Sequence, residues 1–346
     1  METMSLQLKV EFRLYTRLYQ QILENRLGLW TSRTGLILRL EDLDTGQRGY
    51  GEIAPFPGFR SETYDQAFAF VNRLCYPIGK PHPPIISEET IAAIPESLSA
   101  TRFGLGCALA QVSNPLAALP DPSLSPAIGQ NQQQAALLQR GRTALQAWEP
   151  LWNEGFRTFK WKIGLGEPSS EIQVLKELLA VLPAEAKLRL DANGNLTLEQ
   201  AQQWIEACDP ERIEFLEQPL APEHKENLVN LAQTSPLTLA LDESVSTLAD
   251  LGEWAPVWPG IFVLKVPLLG FPDQTRSFLA EQWQQKPLDL VFSSVLETSI
   301  ARRTALSMAQ QFQNPDRAMG FGIQTWFDLE DGFEASDPEK IWEQLS

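Results

Sequence analysis

Five charged residues, each ending a short apolar run, carry the chemistry legible in this chain. FKWKIG (159–164) holds Lys162, LRLDANG (188–194) Asp191, IEFLEQP (213–219) Glu217, TLALDES (238–244) Asp242 and IFVLKVP (261–267) Lys265. On three successive strands, spaced laterally by about 4.8 Å, Asp191, Glu217 and Asp242 come within reach of one hard cation. Mg²⁺ prefers such oxygen ligands and keeps positions for water or substrate. Without a cation the three carboxylates would raise one another's pKa values. Each acid alone also reads as a turn residue capping the next helix; the regular recurrence of all three favours the ligand set. Lys160 and Lys162 are two apart, so in a strand they share a face. As a pair they read either as two solvent-facing lysines or as a base with its neighbour. A base at neutral pH needs a pKa near 7–8, and a fall from about 10.4 is worth roughly 4 kcal/mol. Lys265 would approach from the opposite side, and an ion pair with Asp242 or Glu217 is compatible with that role. Two lysines flanking a metal-held carboxylate suit proton abstraction alpha to it, with the enediolate held by preorganised charge.

Later polar positions are candidates for substrate contact. Ser293, Ser294 and the stretch Gly320–Gly322 could bring backbone N–H groups to a second substrate carboxylate, or serve only as turns. His82 and His224 lie in loop-like contexts beside proline and do not suggest catalysis. There is no GxGxxG opening a helix after a strand, no P-loop, no GxSxG and no HExxH.

Positioning these groups requires a repeating unit. The markers Lys162, Asp191, Glu217, Asp242 and Lys265 are spaced 29, 26, 25 and 23 residues apart. A strand, a helix and two loops need about that length, and charges at strand ends place a site at the C-terminal mouth of a (β/α) barrel. QQQAALLQR reads as a first barrel strand, DLVFSSVLE and AMGFGIQT as the last two, with helices between; TLEQ at 197–200 has capping-box spacing. Before the barrel, residues 4–16 alternate as a half-buried strand. Residues 17–33 break the pattern and carry Arg17, Arg26 and Arg33, as an ordinary connection or a flap. Strands follow near 34–42 and 48–53, then a capped helix after Ser61-Glu62-Thr63. Helices near 88–94 and 98–113 close this part. The division expected is a capping α+β domain over 1–98, completed by the tail from about 326 to 346, and a barrel over 99–325.

Bulk properties bound the alternatives. At 346 residues and 43% hydrophobic the chain can build a barrel and a smaller domain. A net charge of −16 disfavours nucleic acid and anionic membranes but says little about a small carboxylate substrate. The three cysteines lack CxxC spacing, which points to reduced thiols and a cytoplasmic location. Neither a signal peptide nor a span of 18 apolar residues is evident. Oligomeric state is not legible.

The constellation KxK, LDANG, EQP, DES and Lys265 resembles the enolase superfamily, within it the muconate-lactonizing subgroup. GYGEIAPFPGFRSET (49–63) is similar to a segment of that family's smaller domain and SSVLETS (293–299) to its seventh-strand motif. The resemblance implies a modified TIM barrel, (β/α)7β, with an α+β cap. It makes Lys162 the general base, Lys265 the opposing lysine, Lys160 the residue tuning Lys162, and Asp191, Glu217 and Asp242 the ligands of Mg²⁺, with Mn²⁺ an alternative. Asn193 would support the metal's surroundings or the substrate; Ser293, Ser294 and Gly320 would bind substrate. It leans toward dehydration of a succinyl-bearing cyclohexadiene carboxylate in quinone biosynthesis. A racemase of N-succinyl amino acids or an epimerase of dipeptides would use the same five residues. Arg60 departs from the pattern, following GF where many relatives carry a smaller polar residue.

Overall fold

The computed structural model describes residues 6–25, 28–77, 84–114, 131–323, 326–328 and 330–345. Arg26, His82 and most of the loop leading to residue 133 lie outside the described residues. The N-terminal part is an antiparallel sheet, ordered β3-β2-β1-β4, of β1 (Leu8–Asn25), β2 (Gly28–Asp42), β3 (Arg48–Ile53) and β4 (Ile85–Ile86). The expected break at 17–33 is not present among the described residues there: β1 and β2 run on as one long hairpin. Its register shifts between Leu18 and Leu23. Beyond Tyr15 the exposed face carries Leu18, Ile22 and Leu29, while Arg17 and Arg33 are buried. Apolar residues pointing outward and arginines inward invert the usual signal of a strand.

Three helices cover this sheet: α1 (Tyr64–Cys75), α2 (Glu88–Ala92) and α3 (Ser99–Ser113). α1 starts where Thr63 and Gln66 form a reciprocal capping box, a motif typically worth about 1 kcal/mol. Glu62 accepts hydrogen bonds from the amides of Ala100 and Thr101, satisfying donors at the head of α3. α3 lies directly on β3, because a Cβ at Gly51 would stand 1.8 Å from the Gly104 carbonyl oxygen. Its residues enter both cores: Leu105 and Ala108 pack with the sheet, Phe103 and Cys107 with the barrel.

The barrel has eight parallel strands and seven intervening helices. In order these are β5 (Gln134–Leu137), α4 (Ala144–Asn153), β6 (Thr158–Lys162), α5 (Pro168–Val181), β7 (Lys187–Asp191), α6 (Leu198–Ala207), β8 (Ile213–Glu217) and α7 (Lys225–Thr234). Then come β9 (Leu239–Leu241), α8 (Leu248–Trp254), β10 (Ile261–Leu264), α9 (Pro272–Gln285), β11 (Asp289–Phe292), α10 (Ser299–Phe312) and β12 (Met319–Gly322). Strand order is sequential from β5 to β11, with β12 beside β5. A parallel bridge between Ser293 and Gly320 joins β11 to β12 and closes the ring. The fold is thus the expected (β/α)7β modified TIM barrel with an antiparallel cap.

Alternation along each strand divides the two surfaces. On β6, Phe159 and Trp161 are fully buried under the helices, Trp161 edge-on to Trp204 of α6 at 6.4 Å. Lys160 and Lys162 therefore face the barrel interior. The barrel interior is filled by Phe215, Ala240, Ile261, Val263 and Val291. An ion network crosses it: Arg189 meets Glu214 at 2.7 Å, and Arg317 meets Glu214 at 3.0 Å and Asp289 at 2.6 Å.

The tail, ending in α11 (Pro338–Gln344), packs on the outer face of the cap. Arg17 pairs with Asp331 and Glu334 and lies 3.7 Å from the Phe327 ring. Glu52 of β3 accepts from the Thr298 amide at 2.9 Å and from its hydroxyl at 2.6 Å, tying the cap to the head of α10. No described helix is long and apolar enough to cross a membrane.

Candidate active site

Strand register sets the level of each charged group. Lys162 is paired across the ladder with Asp191, and Asp191 with Glu217, so three of the five markers form one tier. Asp242 follows the last residue of β9, two positions beyond the Ala240 that pairs with Glu217, and Lys265 follows the last residue of β10, four positions beyond the Ile261 that pairs with Ala240. All five line one pocket with Lys160, Asn193, Ser293, Ser294 and Gly320. His224 does not; it is the exposed residue before α7.

Lys160 bridges Asp191 at 2.8 Å and Glu217 at 2.7 Å. Burial would strip its proton, yet the surrounding carboxylates prevail and hold its pKa well above the ordinary lysine value. Lys162 goes the other way. Burial lowers its pKa, and the Lys160 charge lowers it further against the pull of Asp191. Lys265 is bonded to Asp242, with its ammonium 4.6 Å from the Phe59 ring.

The carboxylates are short of positive charge. Burial pushes Glu217 up to about 7, and raises Asp242 and Glu243 despite neighbouring lysines. Asp191 alone falls below its ordinary value: burial raises it, but Lys160 and Lys162 outweigh that. Glu243, also in the pocket, has one oxygen buried without a hydrogen-bond partner. Four carboxylates thus face three lysines, and if Lys162 is neutral two negative charges are uncompensated. A divalent cation supplies that charge, and an all-oxygen donor set is the kind Mg²⁺ takes. As the side chains stand, no three described His, Cys, Asp or Glu residues are gathered around one point. Their nearest partners are instead the lysines.

Two turn residues with positive φ shape the acid cluster. Asn193 (φ 44°) donates its amide to Asp191 at 3.0 Å and its side chain to Glu243 at 2.9 Å. Gln218 (φ 37°) accepts from the amides of Asp242 at 3.0 Å and Ser244 at 3.1 Å. The Gln of EQP therefore fixes the turn that carries Asp242.

At the polar side of the mouth, the Ser294 amide donates to the Gly320 carbonyl at 3.1 Å. The Ser294 hydroxyl donates to Glu297 at 2.7 Å and accepts from the Leu296 amide at 2.8 Å. Both Ser294 groups are thus engaged within the protein and order the turn, while the residue still lines the pocket. Glu297 does the same by accepting from the Val295 amide at 2.7 Å. Gly320 has no room for a side chain: a Cβ would lie 2.5 Å from the Ser293 hydroxyl oxygen.

Several pocket residues were not among the sequence candidates. Glu243 had a signal, since it follows Asp242 in DES. Phe56 and Phe59 were not singled out, but they sit in the GEIAPFPGF segment, for which the family resemblance implies substrate contact over 51–60; Trp326 starts the tail. Leu296, at φ 61°, turns into the pocket against Trp326 and Phe327. Nothing in its residue type predicts that conformation, which a leucine adopts only where surrounding structure imposes it.

Comparison with known proteins places this geometry. Residues 143–256 match the family described as enolase C-terminal domain-like, and residues 18–112 match the family described as MenC, N-terminal domain. The o-succinylbenzoate synthase of Thermosynechococcus vestitus is 39% identical over 340 residues, covering 97% of this chain and 98% of that protein. The crystal structure of o-succinylbenzoate synthase from Thermosynechococcus elongatus, complexed with Mg in the active site, superposes with a TM-score of 0.82. It is 40% identical and the match covers 97% of this chain and 100% of that one. A substrate-liganded L-Ala-D/L-Glu epimerase from Bacillus subtilis shares the fold, with a TM-score of 0.74 at 18% identity over 91% and 89% of the two chains.

Proposed function

The chain belongs to the o-succinylbenzoate synthases of the enolase superfamily, and from that membership we propose the residue roles of its reaction. It is a Mg²⁺-dependent lyase that dehydrates 2-succinyl-6-hydroxy-2,4-cyclohexadiene-1-carboxylate to 2-succinylbenzoate in menaquinone or phylloquinone biosynthesis. The observation that carries the roles is the convergence of Lys160, Lys162, Lys265, Asp191, Glu217 and Asp242 on one pocket.

Asp191, Glu217 and Asp242 would hold Mg²⁺, with Mn²⁺ able to satisfy the same oxygens. When bound, the ion supplies positive charge to the substrate carboxylate, which acidifies the adjacent C–H and stabilises the enediolate. Lys162 Nζ takes that proton. The electron pair left on carbon expels the ring hydroxyl from the same face, and protonated Lys162 gives its proton to the departing hydroxide. Water leaves and the ring becomes aromatic. Lys265 stays protonated on the opposite side and stabilises the anion across the ring face. Lys160 keeps its proton and tunes Lys162 through charge. Asn193 holds Asp191 and Glu243 in place. Ser293, Ser294 and Gly320 form the wall for the succinyl tail, and Phe56 and Phe59 cover the mouth and exclude water.

In this reading residues 1–98 and 326–346 are the cap and 99–325 the barrel. Its ligand is a small-molecule carboxylate, with no nucleic acid or membrane partner, and the reduced thiols support a cytoplasmic location. The test is conversion of the cyclohexadiene substrate with added Mg²⁺. Loss of diene absorbance with appearance of the aromatic product is expected, and no conversion refutes the assignment.

A further inference from the structure

Arg60 stands beside the pocket and takes no part in the steps above. Its guanidinium donates to Asp250 at 2.6 Å and to the Ser244 carbonyl at 3.2 Å. Asp250 is itself fixed, because its second oxygen accepts from the Thr247 amide at 2.9 Å at the head of α8. Ser244 belongs to the turn carrying Asp242, whose other side Gln218 holds. The residue before Arg60 is Phe59, which faces Lys265. At the start of the same loop, Arg33 donates to the carbonyls of Ala54 and, at 2.7 Å, Pro55. Segment 54–60 is therefore tied to its own sheet at one end and to the barrel at the other. Pro55 and Pro57 remove backbone freedom between the ties.

We propose that Arg60 is a positioning residue, a clasp that joins the cap's loop to the Asp242–Ser244 turn and so sets Phe59 against Lys265. The side chain of Arg60 is 56% exposed, and exposed ion pairs add little to global stability. Its effect is local: the loop over the mouth and the turn bearing one acid move together. The kinetic consequence rests on the dehydratase reading; the clasp itself does not.

The experiment compares Arg60→Ala, Arg60→Lys, Asp250→Asn and the Arg60→Ala/Asp250→Asn double variant. Asn at 250 retains a helix-capping side chain. Amide hydrogen exchange is followed without substrate or metal, alongside steady-state kinetics with both. Arg60→Ala and Asp250→Asn should each speed exchange in segments 54–61 and 243–250 by about tenfold, the scale of one lost charged hydrogen bond. The double variant should exchange no faster than either single, and Arg60→Lys should lie between Arg60→Ala and wild type. Exchange in α1 should not change. KM should rise by about tenfold with kcat within about threefold. Unchanged exchange at 243–250 in Arg60→Ala, or additive effects in the double variant, overturns the clasp. Wild-type protein without dehydratase activity but with the coupled exchange pattern refutes the functional reading and supports the clasp.

Discussion

Lys160 and Lys162 share one face of β6 and are driven in opposite directions. Both are half-buried, but Lys160 lies within 2.8 Å of two carboxylates while the charge of Lys160 itself bears on Lys162. One lysine is thereby kept as a permanent cation and its neighbour is made available as a base. Replacing Lys162 by Ala should lower kcat by at least about a hundredfold, the lower end of what a positioned base contributes. Circular dichroism should be unchanged. Activity within tenfold of wild type would remove Lys162 from the base role.

The same pair makes a prediction about pH. Lys162 must be neutral to accept a proton, so kcat/KM should rise with pH through its lowered pKa and fall on the acid side. Removing the charge of Lys160 (Lys160→Met) takes away a like charge and frees Asp191 to favour protonated Lys162. Both effects raise the pKa of Lys162, so the acid limb should move to higher pH. A limb that stays in place, or moves down, contradicts the tuning.

For the metal, Asp191→Asn removes one negative oxygen donor from the tier shared with Lys162 and Glu217. Mg²⁺ affinity measured by isothermal titration calorimetry should fall by more than about tenfold. An unchanged titration would count against Asp191 as a ligand.

How much of this was legible in the sequence follows from what each signal depends on. The barrel could be read because each of β6 to β10 is a short apolar run with a charge at or just past its end, a local pattern. Lys162, Asp191, Glu217, Asp242 and Lys265 were found for the same reason. The long β1–β2 hairpin was not, because Leu18, Ile22 and Leu29 point outward and a register shift breaks the period. Glu297 and Leu296 were missed as well. Their roles depend on a turn whose shape arises only when β11 meets β12 at Ser293 and Gly320. The place of Arg189 was not legible either: it pairs with Glu214, which Arg317 also meets, and these partners are distant in sequence.

That ion network carries a stability prediction. Burial raises the carboxyls of Glu214 and Asp289, but Arg189 and Arg317 for Glu214, and Arg317 with Asn314 for Asp289, outweigh it and leave both below the ordinary range. A depressed carboxyl stabilises the fold above its unfolded pKa, about 4, and loses that contribution as pH falls through its folded value. Wild-type stability should therefore decline below about pH 4. Glu214→Gln should flatten that decline and, at neutral pH, cost about 3–5 kcal/mol by leaving buried Arg189 without its partner. Urea unfolding at both pH values measures this; equal neutral-pH stability would sink the idea.

The central claim is that Lys162 takes the proton alpha to the substrate carboxylate and that hydroxide then leaves. Its most direct test uses the cyclohexadiene substrate deuterated at that carbon, with Mg²⁺, wild-type protein and Lys162→Ala. Wild type should form the aromatic product with a primary isotope effect, and the variant should form none. Failure of the wild type to form it, together with exchange of solvent deuterium into N-succinyl amino acids, would contradict the account and mark the protein as a racemase.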